Sequence, residues 1–529
     1  MSVSAEPVFL RSNAVVEPLV DRFHAWLHTV SPAAASVHLA QVQLPLLESY
    51  LRNPRAHGTT GPAPAPRGGR PVDIEESRGA EIAALLDSVK RDRAGMLAFA
   101  DALAEADDQL RRHAPGPAGS HPHPKLPPAL NGLVELARDT GGRASLRLLE
   151  PLLYASPYYD VGRQSIHLSL DTGAERPAIL GGPRLSDPDV LELDIPFTHP
   201  GIDALFAART APSTLNRLRE ALELDDARTA GLRRLLAGAP SLSPDRHIGS
   251  GGRIRYVGHA CLVIQSPDTT IVTDPLISAD NRHRDRYTFD DLPDRIDLVL
   301  ITHGRPDHLV LETLLQLRTR VGAVVVPRSS RGNLCDPSIG LFLKALGFTV
   351  VEVDDFEEVP IPDGRVVATP FLGEPDDPDI RAKSTFFVRI ADANIYLGAD
   401  SSGVDPMVYR NVGRHIGHVD MAFLGMAGDR APRTGRHRGL PTGPVAGRTN
   451  DSREPARSGA ERAVAIMREL RADEGYVYAL GEESWQGHLM APAHAEDTYR
   501  LKQIEEFLGW CSGNGIIAER LFNKREWRW

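Results

Sequence analysis

Residues 297–308 read DLVLITHGRPDH and contain the most informative pattern in the chain. The first six residues form an apolar run that predicts a buried β-strand. His303, Asp307 and His308 follow the strand within six residues, and a helical pattern begins at residue 309. Two imidazoles and a carboxylate placed between a strand and a helix are typical of a metal-binding turn. The alternative is an exposed polar turn, which the buried strand and the following helix disfavour.

Strand patterns continue on both sides of this turn. Residues 253–265 and 270–273 predict a β-hairpin upstream, and helical patterns lie at 309–318 and 339–346. Further candidate strands lie at 323–327, 349–353, 366–370, 386–390, 394–397, 421–424 and 476–480. Polar and chemically distinctive residues recur at the ends of these strands, where a rigid sheet presents side chains for chemistry.

The first half of the chain has a different pattern of predicted elements. Residues 80–112 carry apolar residues three or four positions apart, which predicts one amphipathic helix or two. Proline- and glycine-rich connectors flank this stretch at 54–69 and 113–128. Further strand and helix patterns lie at 164–170, 190–195, 214–224 and 227–236. A boundary at 241–252 divides the chain into a mixed α/β N-terminal domain, 1–245, and a C-terminal domain, 246–529.

Composition excludes several classes of protein. The 529 residues carry 60 Lys+Arg and 70 Asp+Glu, and this acidic excess argues against a nucleic-acid-binding protein. The sequence contains no membrane-length apolar run, and its first residues do not read as a secretory signal. Cys261, Cys335 and Cys511 are too far apart for a disulfide framework, and Cys261 is expected to be a core residue. We expect a cytoplasmic protein with neither a nucleic-acid nor a membrane partner.

The metal-binding turn resembles that of the metallo-β-lactamase superfamily, whose signature is H-x-H-x-D-H. Residues 258–276, GHACLVIQSPDTTIVTDPL, are similar to its opening hairpin, which ends in a structural aspartate, here Asp274. The resemblance implies an α/β fold, an αββα sandwich with a two-metal site at one edge of its sheets. Glu374 stands where hydrolases supply a third histidine, while Asp400 matches the bridging aspartate and His488 the final histidine.

Two positions depart from the superfamily pattern. Arg305 replaces the second histidine of the signature, and a guanidinium cannot bind a metal ion. Glu374 replaces the downstream histidine. Three histidines and three carboxylates remain as candidate ligands: His303, Asp307, His308, Glu374, Asp400 and His488. This oxygen-rich set suits two iron ions better than two zinc ions.

The narrower pattern resembles the diiron aminoacyl β-hydroxylases of the chloramphenicol-pathway type, and by motif it covers about residues 250–500. That family has an N-terminal domain before a metallo-β-lactamase-like diiron catalytic domain. The resemblance implies that His303 and Glu374 bind one iron. It further implies that Asp307, His308 and His488 bind the other, with Asp400 bridging and Arg305 outside the ligand set.

The resemblance also implies an O2-dependent monooxygenase of antibiotic biosynthesis. Its substrate would be an amino acid, held as a thioester on the carrier domain of a nonribosomal peptide synthetase and hydroxylated at the β-carbon. Glu374 and Asp400 are the expected catalytic carboxylates, because carboxylates stabilise high iron oxidation states. The motifs are not accompanied by a flavin- or nicotinamide-binding glycine fingerprint, so electrons would come from a separate reductase. The family resemblance suggests a homodimer through the N-terminal domain.

Two other functions remain open. A dinuclear zinc hydrolase, such as a lactonase, thioesterase or phosphodiesterase, would attack its substrate with metal-bound hydroxide. Arg305 and Glu374 count against it because they remove histidines that its first metal needs. A non-catalytic binding protein that has lost its metals is the third possibility, and the retained ligand residues argue against it.

Residues around the ligands have functional and structural interpretations. Candidates for supporting the ligands or lining the substrate pocket are Arg305, Asp274, His259 and Trp485. A structural histidine, a turn cap and a core tryptophan are the alternatives for the last three. Residues 428–458 carry seven Arg against three acids, which is typical of a mobile loop; a lid or a guide for an acidic partner is the alternative. His415, His418 and His494 are expected to be surface or packing residues.

Overall fold

A computed structural model gives the structure of the chain. It describes residues 6–58, 74–112, 126–138, 144–173, 176–177, 179, 181–280, 285–373, 380–426, 459–489 and 498–529. Within these ranges, the helices are too short or too polar to cross a membrane.

The N-terminal domain is built around a four-stranded antiparallel sheet of order β3-β2-β6-β7. Strands β1 to β8 are Phe9–Leu10, Ala14–Val20, Phe23–His24, Val134–Arg138, Ala144–Leu148, Gln164–Leu170, Leu191–Leu193 and Leu236–Ala237. Helices α1 to α10 are Leu27–Val30, Pro32–His38, Leu44–Arg52, Pro54–Gly58, Gly79–Asp92, Ala94–Arg112, Glu150–Tyr154, Pro200–Ala207, Leu215–Ala221 and Asp226–Arg234. The apolar spacing predicted over 80–112 therefore corresponds to two helices, α5 and α6, which bury one face each.

The C-terminal domain contains two seven-stranded sheets. Strands β9 to β22 are Arg253–Gly258, Cys261–Gln265, Thr270–Thr273, Ile296–Leu300, Val321–Pro327, Val350–Val353, Glu358–Ile361, Gly364–Thr369, Thr385–Ile390, Ala393–Leu397, Val419–Gly425, Ala472–Tyr478, Ile517–Arg520 and Arg525–Arg528. Helices α11 to α15 are Leu311–Leu317, Ile339–Ala345, Pro406–Ile416, Ala460–Leu470 and Thr498–Gly513. The sheet orders are β14-β13-β12-β11-β10-β9-β22 and β15-β16-β17-β18-β19-β20-β21.

The two sheets pack face to face in the predicted αββα sandwich. Apolar side chains from both sheets, such as Leu262, Phe386 and Phe423, form the core between them. A second core lies between the outer face of one sheet and helices α13, α14 and α15. Central strands such as Ile296–Leu300 are buried on both faces, which is why they read as continuous apolar runs in the sequence.

The two domains share one hydrophobic core. A single cluster joins Leu205 and Leu218 of the N-terminal domain to Val299 and Leu315 of the C-terminal domain. The N-terminal domain therefore packs on the face of the sandwich that carries α11 and α12. Its α1 also lies close to the metal-binding turn, because a Cβ atom added at Gly304 would meet Leu27 Cδ2 at 2.5 Å.

Candidate metal centre

The metal-binding turn lies where strands end at one edge of the sandwich. β11 and β12 are parallel neighbours with Thr273 opposite Leu300. Asp274 and the turn that begins at Thr302 therefore leave the first sheet side by side. Asp400 follows the end of β18 in the second sheet. The carboxyl ends of these strands supply most of the site.

Five buried side chains at this edge form two groups that share His308. Nε2 of His259 lies 3.4 Å from Oδ2 of Asp307 and 3.3 Å from Nε2 of His308. Oδ2 of Asp400 lies 3.6 Å from Nε2 of His308 and 3.9 Å from Nε2 of His303. Within each group, the candidate ligand atoms lie within 4.8 Å of one another. Each group could hold a metal ion, and the shared Nε2 of His308 can serve one ion at a time.

His303 fits a metal-binding role. The side chain is buried, and its Nε2 has no hydrogen-bond partner among the residues that the structure describes. Burial, followed by the neighbouring His308, holds the pKa of His303 well below its usual value. The ring is therefore neutral and has a lone pair for a metal ion. Neutral imidazoles mixed with carboxylates suit iron as well as zinc.

Asp274 orients His308. Its carboxylate accepts hydrogen bonds from the Thr302 N–H at 2.8 Å, the Thr302 hydroxyl at 2.6 Å and Nδ1 of His308 at 2.7 Å. Donation from Nδ1 directs Nε2 towards the candidate ligand carboxylates. Burial disfavours a charged ring, but Asp274, Asp400 and Asp307 outweigh it and raise the pKa of His308 to about 10. A metal ion must therefore displace a proton from this ring.

Arg305 connects the two candidate ligand carboxylates. Its Nη1 donates to Oδ2 of Asp400 at 2.9 Å and its Nη2 donates to Oδ2 of Asp307 at 3.1 Å. Both carboxylates are fully buried, and a buried negative charge is costly unless a positive charge lies beside it. The Arg305 guanidinium supplies that positive charge. The residue that replaces the superfamily's second histidine thus lies beside the candidate ligands and fixes two of them.

His259 is held at the site by a constrained turn. It is fully buried and has a φ of +51°. Its N–H donates to Oε1 of Glu483 at 3.2 Å, and the same oxygen accepts a hydrogen bond from the Tyr256 hydroxyl. A Cβ atom at Gly258, where φ is +123°, would approach Gln486 Nε2 to 2.9 Å, so glycine is required there. The geometry places the His259 ring beside Asp307.

His488 lies in a different set of contacts. Its Nε2 is 2.8 Å from Nη1 of Arg176 and 3.3 Å from Oε1 of Glu312. Arg176 also makes a bidentate pair with Glu312 at 2.8 and 3.1 Å. Burial opposes ionisation of Glu312, but Arg176 and His488 outweigh it and hold its pKa far below its usual value. Nε2 of His488 is therefore engaged by Arg176 and Glu312.

The remaining predicted residues lie outside the described ranges or in other contacts. Three features lie outside the described residues: Glu374, His494 and residues 428–458. Trp485 packs against the guanidinium of Arg286, 4.9 Å from its ring centre. His415 packs against Phe356, and exposed His418 pairs with two nearby aspartates. Cys261 is buried in the core, as predicted.

Comparisons with known proteins place this geometry in a family. A family model described as the diiron non-heme beta-hydroxylase N-terminal domain matches residues 9–240. A beta-lactamase superfamily domain matches residues 269–477. The chain is 34% identical to the 4-amino-L-phenylalanyl-[CmlP-peptidyl-carrier-protein] 3-hydroxylase of Streptomyces venezuelae over 533 residues, covering 98% of this chain and 99% of that protein. The chain belongs to the diiron β-hydroxylase family.

Structural comparison agrees with this assignment. The crystal structure of CmlA, a diiron beta-hydroxylase from Streptomyces venezuelae, matches with a TM-score of 0.89 at 32% identity, covering 99% of this chain and 100% of that one. Its E377D mutant matches with a TM-score of 0.87, at the same identity and coverage. The predicted diiron β-hydroxylase family and the metallo-β-lactamase-like fold are therefore confirmed.

Sequence reasoning missed two residues of this diiron β-hydroxylase, Arg176 and Glu312. Glu312 lies four positions after His308, at the start of the next helix, and this spacing is the signal that could have found it. Arg176 lies in the N-terminal domain, more than one hundred residues earlier, and no local pattern marks it. The contact between them depends on how the two domains pack.

Proposed function

We propose that this protein hydroxylates the β-carbon of an amino acid held as a thioester on the carrier domain of a nonribosomal peptide synthetase. The observation that carries the proposal is full-length similarity to an S. venezuelae hydroxylase that acts on 4-amino-L-phenylalanyl attached to the CmlP peptidyl carrier protein. The convergent imidazoles and carboxylates at the sheet edge support the same activity. O2 is the proposed co-substrate, and a separate reductase is the proposed electron donor.

The proposed metal ligands are the six residues that the sequence predicts: His303, Asp307, His308, Glu374, Asp400 and His488. Four of them, His303, Asp307, His308 and Asp400, have the convergent geometry that supports this assignment. Two bound ferrous ions would supply the reduction of O2 and the oxidation of an unactivated C–H bond.

The chain's own residues prepare the site for this chemistry. Asp274 holds the His308 ring in one orientation, and Arg305 balances the charge of Asp307 and Asp400. All these carboxylates are 1% exposed or less, so bulk water is excluded from the ligand oxygens. A buried and preorganised site favours reaction with the bound substrate over side reactions with water.

The final histidine ligand can be assigned by a pair of variants. β19 ends at Gly425, whose N–H donates to the carbonyl of Ala399 at 2.8 Å, directly beside Asp400. His437 follows β19 in the sequence and serves as the matched control for His488. We expect His488→Ala to lower bound iron and His437→Ala to leave it unchanged. The reverse result would assign the ligand to His437.

The proposed activity is tested with iron-loaded protein, a chemical reductant, O2 and carrier domains loaded with different amino acids. We expect about two iron ions per chain, an absorption band that dithionite bleaches, and a mass gain of one oxygen on the carrier-bound amino acid. Free amino acids should not react. Protein that binds zinc, lacks a redox response and cleaves thioesters would instead support the hydrolase alternative. A panel of loaded carriers would also identify the preferred amino acid.

Two proposed properties concern assembly and location. A homodimer through the N-terminal domain is tested by sedimentation of the full chain. A cytoplasmic location is tested by fractionation of cells that express the natural protein.

A further inference from the structure

Arg176 and Ile179 of the N-terminal domain contact the catalytic domain at His488 and Glu312. Arg176 binds the Nε2 atom of His488 and forms the bidentate pair with Glu312. The N–H of Ile179 donates to the backbone carbonyl of His488 at 2.9 Å. Both the ring and the backbone of His488 are therefore held by the N-terminal domain.

Arg176 is itself held in position. A few residues further along, the Nε atom of Arg184 donates to Glu17 on β2 at 2.7 Å. The same guanidinium donates to the carbonyls of Pro177 and Gly182 at 3.1 and 3.0 Å. These bonds tie the chain that carries Arg176 to the central sheet of the N-terminal domain. The position of Arg176 is therefore fixed relative to that sheet.

His488, which Arg176 holds, belongs to a loop that contacts neighbours of the candidate ligands. The 481–489 loop has one short helical turn, Ser484–Gln486, so its position depends on external contacts. Leu489 packs in a small cluster with Val310, two positions after His308. At the other end of the loop, Glu483 holds the backbone of His259, whose ring contacts Asp307. Displacement of the loop would therefore also shift the candidate ligands.

We infer that Arg176 is a positioning residue that the N-terminal domain supplies to the metal centre, acting through His488, Glu312 and the 481–489 loop. The inference rests on the proposed diiron function. Arginine suits this role because its planar guanidinium binds a carboxylate with two parallel hydrogen bonds and contacts the imidazole as well. In this arrangement, the catalytic domain's site is complete only when the N-terminal domain is docked.

The test compares two arginines that join the same pair of domains. Arg318 follows α11, the helix that carries Glu312, and its Nε donates to Asp203 of the N-terminal domain at 2.9 Å. Arg176→Gln should weaken iron binding by about 10- to 100-fold and shift the absorption spectrum of the oxidised protein. Arg176→Lys should recover part of both. Arg318→Gln is the matched control, and it should lower the unfolding temperature without changing iron binding or the spectrum.

Three results would overturn the inference. These are an unchanged iron affinity and spectrum in Arg176→Gln, the same spectral change in Arg318→Gln, and no recovery in Arg176→Lys. If Arg176→Gln does not fold, Glu312→Gln replaces it, because it removes the charge that holds Arg176 and keeps the side-chain shape.

A metal-independent measurement separates this inference from the proposed function. Hydrogen exchange of residues 485–489 in metal-free protein should become faster in Arg176→Gln and remain unchanged in Arg318→Gln. Unchanged exchange in both variants would count against the inference. Wild-type protein that binds no iron would instead overturn the proposed function, whatever the exchange result.

Discussion

Replacing Asp274 with asparagine should disable the metal centre without removing any candidate ligand. The aspartate accepts three hydrogen bonds, two from Thr302 and one from Nδ1 of His308. Asparagine keeps an oxygen for the Thr302 N–H, but its NH2 group then faces the other two donors. To relieve this conflict, His308 must accept at Nδ1 and move its proton to Nε2, the atom that faces the metal site.

The magnitude follows from these bonds. Two hydrogen bonds to a buried charged acceptor are lost, and each is worth about 1.5–3 kcal/mol, so metal-free protein should lose about 3–5 kcal/mol of unfolding free energy. Iron affinity should fall by about 10- to 100-fold because the metal-binding form of His308, with its remaining proton on Nδ1, loses the carboxylate that stabilises it. Urea denaturation of metal-free protein measures the first effect, and ferrous titration under anaerobic conditions measures the second.

A control separates lost stability from lost metal binding. Glu150 is another buried carboxylate, and it accepts hydrogen bonds from the N–H groups of Gly332 and Ser338. Glu150→Gln should reduce stability and leave the iron affinity unchanged. Wild-type iron affinity in Asp274→Asn would refute the reasoning, because it would mean that His308 does not depend on Asp274 for its tautomer.

Four further predictions concern countercharge, metal choice, pH dependence and turn geometry. Arg305→Met should lower the unfolding free energy of metal-free protein by about 3–5 kcal/mol, since it leaves buried carboxylates without a countercharge. This loss should shrink once iron is added. Arg305→His restores the superfamily signature and should raise the zinc-to-iron ratio found by elemental analysis. Burial raises the pKa of Asp290 from 3.8 to about 6. The contribution of Asp290 to stability is therefore present below pH 3.8 and lost as pH rises through about 6. Asp290→Asn should stabilise the protein at pH 7 by up to about 3 kcal/mol in denaturant titrations, and it should give no gain at pH 3.5. Gly258→Ala should lower the unfolding temperature and perturb the iron spectrum through His259, whereas an unchanged spectrum would show that the turn tolerates a side chain.

The sequence predicts the catalytic fold because its information there is local. Residues 298–301 form an apolar run since the strand is buried on both faces, and the turn after it carries three candidate ligands within six residues. Asp274 follows β11, the neighbour of β12 in the first sheet, and Asp400 follows β18 in the second sheet, so the packing of the two sheets brings these strand ends to one edge. A motif at a strand end therefore predicts a site before the full topology is known.

The N-terminal domain is harder to predict because its pairings are long-range. β2 pairs with β6 in a register that joins Ala14 to Leu170. Local patterns cannot specify such a pairing. The same reason explains why Arg176 escapes sequence analysis and why the contacts of His488 differ from a simple ligand position. The position of Glu374 in the site remains a prediction.

The core shared by the two domains has a consequence for how this enzyme can be re-engineered. The outer face of one catalytic sheet, with α11 and α12, is covered by apolar side chains from the N-terminal domain. A transplanted catalytic domain would expose this face to water and would favour aggregation. Chimeras made between relatives should therefore exchange both domains together. Calorimetry of the intact chain should record the unfolding of the two domains as a single cooperative transition.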